Sequence, residues 1–551
     1  MLGRNTWQLA IAGLLVAIAA QRAYWAQVAQ WREDQACNLW LGYVQPVLEL
    51  PIGLISSVKT PNPNGMPLLA ELLSLLPNLW AISTVLGFVQ GALAVWVCSL
   101  LVQPIGRFLW VALPVSSSVL ISATSVEFWN NWILVSFDLA FFGCYMTYQR
   151  TRSLWPIAWC VLLMLLAPAV YLAGLVNAVV YFGLTAFLLL RHPPAPRSWV
   201  GIRGNVPPAL AALFVIGVMV TITWLPYAEI MRHKSLPMSP LISDRLVNAL
   251  EAALDFPRWS LLHWYRKNRE TFLQSSGDII GFRGERLLTM SELLLLVQGA
   301  VAVLALAVTL VRRMRLVPSA LAQGLFLPGK RWHGRMLLTG LGFVWLSMLM
   351  SPLIGGPSWT RSEREDQQVQ FVPFVIIASF ALPQLLQLPV WLRAHVQRAT
   401  VVLALTCTVI NVMATQTIVH AHLRYRGDEL TEADVPLAHQ RAVARFLAED
   451  WRRVSSSPRI PVYYKHGQDW VTDFGKALLP YYRAPMVVGR AIDFELSRVH
   501  GLQNSQEGVQ KRSARDARYI VTYAWRAPPK VAPAPVKHHT LGRLRVSVVE
   551  R

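Results

Sequence analysis

"REDQACNLWLGYVQPVLELPIGLISSVKTPNPNGMPLLAELLSLLP", residues 32–77, separates the first apolar run of the chain from the second. Two adjacent carboxylates, Glu33 and Asp34, stand just where a membrane span would leave the bilayer. After them Ala36, Leu39, Trp40 and Tyr43 recur at helical spacing, the pattern of an amphipathic helix lying along a membrane surface. "KTPNPNG" (59–65) is rich in turn formers, and "MPLLAELLSLL" (66–76) predicts a second short apolar helix that leads into the next span. Two surface helices joined by a turn would roof a pocket at the bilayer edge.

The rest of the chain supplies the bilayer. Of 551 residues, 54% are hydrophobic and 15% are charged, against about 25% charged in an ordinary soluble protein. The 22 tryptophans suit the two interfaces of a polytopic membrane protein. A formal charge of +21 raises nucleic acid as a partner class, but the basic residues are spread over short loops between apolar runs. The charge therefore reads as membrane topology, and no nucleic-acid partner is expected. The five cysteines, Cys37, Cys98, Cys144, Cys160 and Cys407, show no CxxC or Cys/His spacing, so neither a disulfide framework nor a zinc site is indicated. A short basic start precedes the first apolar run, and no A-x-A site follows it, which predicts an uncleaved first span.

A helix needs about 20 apolar residues to cross the hydrocarbon core. Such runs lie at 6–26, 79–103, 106–124, 129–148, 154–172, 174–190, 207–228, 291–311, 336–355, 371–390 and 399–417. The fold class expected is thus a polytopic α-helical membrane protein of about eleven transmembrane helices. With the N-terminus cytoplasmic, the inner segments carry Arg150, Arg152, Arg191, Arg312 and Arg331 among other basic residues, and no Asp or Glu. That bias is what the positive-inside rule demands. The membrane part is expected to fill 1–417, with a large first outer loop (27–78) and a long outer loop (229–290). An extracytoplasmic α/β domain is expected over 418–551. Its helix-like stretch, "EADVPLAHQRAVARFLAEDWRR" (432–453), precedes the strand-like runs "IPVYYK" (460–465), "ARYIVTYAW" (517–525) and "LRVSVVER" (544–551). "APPKVAPAP" (527–535) reads as a linker before the last strand. No internal repeat of transporter type is found, and no phosphate-binding glycine motif.

From spacing alone, Glu33 and Asp34 are either a solvated cap at the interface or a general base whose basicity a partner or desolvation raises. Other residues carry a resemblance that bears on the choice. The loop "REDQACNLWLGY" with "GLISSVKTPNPNGMPLLAEL" resembles the first outer loop of GT-C glycosyltransferases. The branch is the family-39-like one, which includes protein O-mannosyltransferases and lipid A aminoarabinose transferases. "SVEFWNNWILVSFDLAFFGCYMTYQRTR" (125–152) is similar to that family's segment opening span 4, and "QQVQFVPFVIIASFALP" (367–383) more weakly to the start of a later span.

The resemblance implies transfer of a sugar from a polyprenyl-phosphate carrier to an acceptor on the extracytoplasmic face of the bacterial plasma membrane. The acceptor is left open among lipid, polysaccharide and protein, and membrane lipids are expected contacts. The family's acidic residue is carried onto Asp34 as general base, with Glu33 its rival. A second acid is carried onto Glu127, where this chain departs from a branch that often has a basic residue nearby. The leaving phosphate needs cations. Candidates are Lys59, then Arg266, Lys267 and Arg269 in "HWYRKNRE", then Arg361 and Arg364; each reads first as an interfacial lipid contact, and Lys59 stands ahead of the others because its loop also holds the carboxylates. Asn130 either orients the sugar or caps a helix. Trp259, Trp264 and Tyr265 read as an interfacial aromatic belt before a sugar-stacking surface.

Asp138 is deep inside a span, where an ionisable group is a functional candidate; a structural hydrogen bond to a neighbouring helix is the preferred reading. The second "REDQ" (364–367) lacks a following amphipathic helix and reads as chance. No cofactor is expected. A divalent cation at Glu33 and Asp34 would enter only if the enzyme were an oligosaccharyltransferase or polymer ligase working on a lipid pyrophosphate. The rival functions are a transporter or flippase of lipid-linked sugars and a non-catalytic scaffold with an outer binding domain.

Overall fold

The computed structural model describes residues 4–29, 31, 33–44, 46–50, 53, 62–102, 105–128, 130–171, 174–193, 199–232, 277–314, 325–354, 372–424, 435–464, 491–505, 517–524 and 536–550. Helix α1 (Arg4–Trp25) is followed by the two helices of the first loop, α2 (Glu33–Val44) and α3 (Gly65–Leu73). Then come α4 (Leu79–Leu101), α5 (Ile105–Ser117), α6 (Val119–Ser125), α7 (Asn130–Thr151), α8 (Trp155–Val170) and α9 (Leu175–Arg191). Helix α10 (Trp199–Met219) passes through a π turn (Val220–Trp224) into α11 (Leu225–Arg232). Helices α12 (Gly277–Met314), α13 (Arg331–Ile354), α14 (Val372–Leu385) and α15 (Val390–Arg424) complete the apolar part.

Helix lies over all eleven stretches marked in the sequence. By length and apolarity four of the described helices suffice to cross a membrane, or five if the bent pair α5–α6 is one broken span. This is the build of a polytopic membrane protein. Three differences from the sequence expectation have local causes. The run 106–124 is broken: the axes of Arg107–Ser117 and Val119–Ser125 diverge by 59°, with Pro114 in the last turn before the break. The run 371–390 is helical only to Leu385, with Pro383 in its last turn. The long outer loop expected at 229–290 is helical at 229–232, the end of α11, and again from Gly277, because α12 extends toward its N-terminus through a kink at Gly281, whose φ of 59° glycine adopts without cost.

Packing follows the small residues. Helix α12 lies along α15, α1 along α4, and α7 between α4 and α8. In the first loop α2 packs on α3 because Gly42 has no Cβ; one would run into the backbone at Pro67 and Glu71. Likewise Gly65 opens α3 against the backbone of Ala169 and Val170 at the end of α8. The loop is thus clamped between α8 and the segments that follow. Asn64 adds to the clamp, donating from Nδ2 to the carbonyls of Leu50 (2.7 Å) and Ile222 (3.1 Å). The second of these lies in the π turn, whose i→i+5 pairing departs from that of the α-helix on either side.

After α15 the chain forms an α/β unit. Helix α16 (Leu437–Val454) is followed by β1 (Arg459–Ile460), β2 (Val462–Tyr464), α17 (Ala491–His500), β3 (Gln503–Asn504), β4 (Tyr519–Tyr523), β5 (Val536–Leu541) and β6 (Leu544–Val549). The four-stranded sheet has the order β2–β4–β6–β5, with β2 parallel to β4 and the other pairs antiparallel; β1 and β3 pair separately. The three strand-like runs read from the sequence fall on β1–β2, β4 and β6. Strand β5, "VKHHTL", was not anticipated: its pattern is mostly exposed because it is the sheet edge. The expected linker 527–535 lies outside the described residues.

Candidate functional site at the C-terminal end of α1

Helix α2 starts at Glu33, so Glu33 and Asp34 occupy its first turn. There the unpaired N–H groups of the helix stabilise negative charge. Their side chains lie outside the described residues, as do Lys59, Arg266, Lys267, Arg269, Arg361 and Arg364, the aromatics Trp259, Trp264 and Tyr265, and the Asn130 side chain. The second "REDQ" lies outside them too.

What positions the first turn of α2 is described. Trp31, two residues ahead of Glu33, is buried; its Nε1 donates to Ser83 Oγ on α4 at 3.1 Å. Its ring stacks on Phe128, with centroids 6.1 Å apart and planes at 24°. Phe128 follows Glu127 in the turn between α6 and α7. The fold therefore brings the start of the acidic helix against the segment that carries Glu127. These positions are about ninety residues apart in sequence. Glu127 is itself only 6% exposed, and its Oε2 accepts a hydrogen bond from Trp132 Nε1 at 3.2 Å.

The wall behind this junction holds a group that the sequence reading passed over. Arg22, near the end of α1, has no exposed surface. Its Nη1 donates to Gln21 Oε1 (2.9 Å) and to the Ser122 hydroxyl, and its Nη2 donates to the carbonyl of Ser116 (3.0 Å). Gln21 Nε2 donates to the next carbonyl, Ser117 O, at 3.2 Å. Ser116 and Ser117 are the last residues of α5, just before the 59° break. A helix interrupted inside an apolar region leaves carbonyls unpaired at its C-terminal end, where negative partial charge collects. Gln21 and Arg22 satisfy those carbonyls. Gly87 on α4 makes the room: a Cβ there would sit 2.9 Å from Arg22 Cγ and 3.0 Å from Val126 Cγ1. Arg22 and Val126, the residue before Glu127, thus meet over one glycine. The signal was present in the sequence, since Gln21–Arg22 is a polar pair inside an apolar run. Only Asp138 was weighed as an ionisable group within a span.

Asp138 is placed as preferred from the sequence. Its Oδ1 accepts from Asn177 Nδ2 (2.8 Å) and from the Tyr181 hydroxyl, both on α9. It ties α7 to α9, away from the junction of Trp31 and Phe128. Among the described residues no group of three His, Cys, Asp or Glu comes together that would hold a metal.

The α/β unit covers the same end of the bundle. Glu495 on α17 accepts the N–H of Leu79, the first residue of α4, at 2.8 Å, and pairs with Arg441 at 3.4 Å. Burial raises the Glu495 carboxyl above its usual range, opposed by the Leu79 N–H and by Arg441. Phe494 meets the ring of Tyr43 on α2 edge-on at 5.4 Å. Ala438 N–H donates to Gln27 O (2.8 Å), and Arg543 Nη2 to His422 O (2.9 Å). The unit is tied to α1, α2, α4 and α15.

No family model matches the sequence, and no curated protein matches it. Two crystal structures are similar to it. One is ArnT from Cupriavidus metallidurans in the apo state, at 12% identity and a TM-score of 0.44, over 98% of this chain and 98% of that one. The other is ArnT from Cupriavidus metallidurans bound to undecaprenyl phosphate, at 11% identity and a TM-score of 0.45, over 99% of this chain and 98% of that one. A likeness of this degree carries no argument about activity.

Proposed function

We propose that the chain is a membrane glycosyltransferase of the GT-C type. It moves a sugar from a polyprenyl-phosphate carrier to an acceptor at the membrane face that holds α2, α3 and the α/β unit. Asp34, with Glu33 beside it, takes the proton of the acceptor nucleophile as that nucleophile attacks the anomeric carbon. The bond to the lipid phosphate breaks, and the phosphate leaves with the bonding pair. Glu127 is the second acid of the site. Lys59 and the arginines Arg266, Arg269, Arg361 and Arg364 are the candidates to receive the leaving phosphate, with Asn130 orienting the sugar.

The observation that carries this reading is the contact of Trp31 with Phe128. It brings together the two acidic segments that the resemblance singles out, Glu33–Asp34 and Glu127, in a fold that need not have done so. In the proposed arrangement the N-terminus is cytoplasmic and the carbohydrate chemistry takes place on the opposite face.

The test compares glycolipids, glycoproteins and polysaccharides from cells carrying the natural protein, Asp34→Asn or Glu33→Gln. Loss of one glycan modification in Asp34→Asn at normal protein level is the expected result. An unchanged glycome at normal abundance defeats the proposal and favours the scaffold reading.

A further inference from the structure

On the side of α1 toward α15 there is a second feature, which the proposed chemistry does not use. A cleft of about 950 Å³ runs between α1, α5 and α15 and reaches Arg283 on α12. Its lining changes character along its length. At one end lie Leu14, Ile18, Leu113 and Val412. At the other, next to the α/β unit, lie Gln21, Tyr24, Arg283, Gln416 and His420. Among the described residues no Asp or Glu lines it, and Arg283 is exposed with no ion-pair partner. Gln21 and the Ser116–Ser117 backbone form its back wall, the same wall that Arg22 braces from the other side.

Length decides what fits. From Leu14 to Tyr24 the slot follows ten residues of α1, about 15 Å at 1.5 Å per residue. That is half of a hydrocarbon core about 30 Å thick, so the slot is one leaflet deep. In a bilayer this length would set the cationic and hydrogen-bonding end at the surface and the apolar end at the centre.

We infer that this cleft is a binding site for an anionic phospholipid of the adjoining leaflet, its chain along α1 and α15 and its phosphate at Arg283. The inference rests on the chain being embedded in a bilayer and stands whether or not the transferase reading holds. An isoprenoid chain many times longer than one leaflet does not match the slot.

The full chain, purified in detergent and incubated separately with phosphatidylglycerol, phosphatidylcholine or undecaprenyl phosphate, is examined by native mass spectrometry. Phosphatidylglycerol should be retained over phosphatidylcholine, and Arg283→Gln should reduce that preference about fivefold, the worth of one interfacial cation. Ala17→Trp, which fills the slot from α1, should abolish retention with an unchanged melting temperature. If Ala17→Trp does not fold, Val412→Trp fills the slot from α15 and carries the same expectation. Equal retention by the filled variants, a preference indifferent to Arg283, or stronger retention of undecaprenyl phosphate than of phosphatidylglycerol overturns the inference.

Discussion

Trp31 and Phe128 stack at 6.1 Å, and through that pair the helix beginning at Glu33 is held against the turn that carries Glu127. The Ser83 hydroxyl fixes the Trp31 ring from the other side. The helix is thereby pinned at its acidic end.

Phe128→Leu keeps an apolar side chain in place and removes the stacked geometry. The stability cost should be about 1 kcal/mol, the worth of an aromatic pair beyond its burial. Activity should fall further, up to about a hundredfold, because small displacements of a reacting group are costly. Transfer rates in isolated membranes, set beside melting temperatures, read the two effects separately. Equal and small losses in both would mean that the pair only stabilises the fold.

Glu127→Gln keeps an oxygen to accept the Trp132 N–H and removes the charge. As the proposed second acid of the site, it should lose roughly 10²- to 10⁴-fold in transfer rate, the usual worth of a positioned acid or base. Trp132→Phe leaves the carboxylate but frees it from its 3.2 Å bond, and should lose less. If both substitutions cost the same, Glu127 acts through its hydrogen bond alone.

Arg22→Met strands the Ser116 carbonyl and the Ser122 hydroxyl in a buried place. Each unpaired buried group costs about 1–3 kcal/mol, so a marked drop in melting temperature is expected. Gln21→Leu, which strands one carbonyl and retains the cation, should cost less. A melting temperature in Arg22→Met equal to that of the natural protein would show that water or lipid replaces the guanidinium at the break.

Glu495 gives the clamp between α17 and α4 a pH dependence. Its carboxyl titrates above the usual range in the folded protein because it is buried. The folded state therefore binds the proton more tightly than the unfolded state does. The stability this contributes is present below the ordinary glutamate pKa of about 4.3. It is lost as pH rises through the raised folded value. Glu495→Gln keeps an oxygen for the Leu79 N–H and should flatten the melting temperature across that window. A slope unchanged by the substitution would assign the dependence to other groups.

The sequence by itself determined the helical segments, because a run of apolar side chains forces backbone hydrogen bonds inward wherever water is absent. It also determined the two short helices of the first loop, through the helical spacing of Ala36, Leu39, Trp40 and Tyr43 and of the apolar residues in 66–76. Three of the strand-like runs in the tail were legible for the same kind of reason, while the edge strand Val536–Leu541 was not, since one exposed strand carries no buried alternation. Only the tertiary structure decided which segments are neighbours. The start of α2 and the turn after α6 are separated by α2 to α6 in the chain, and nothing local to either couples them. Trp31 and Phe128 bring the two segments together, and around them Gly42, Gly65 and Gly87 allow backbones and side chains to approach where a Cβ would collide. The break after Ser117 was hidden for a related reason. Pro114 bends a helix anywhere, but a break persists inside an apolar bundle only where Gln21 and Arg22 arrive from another helix to bond the freed carbonyls.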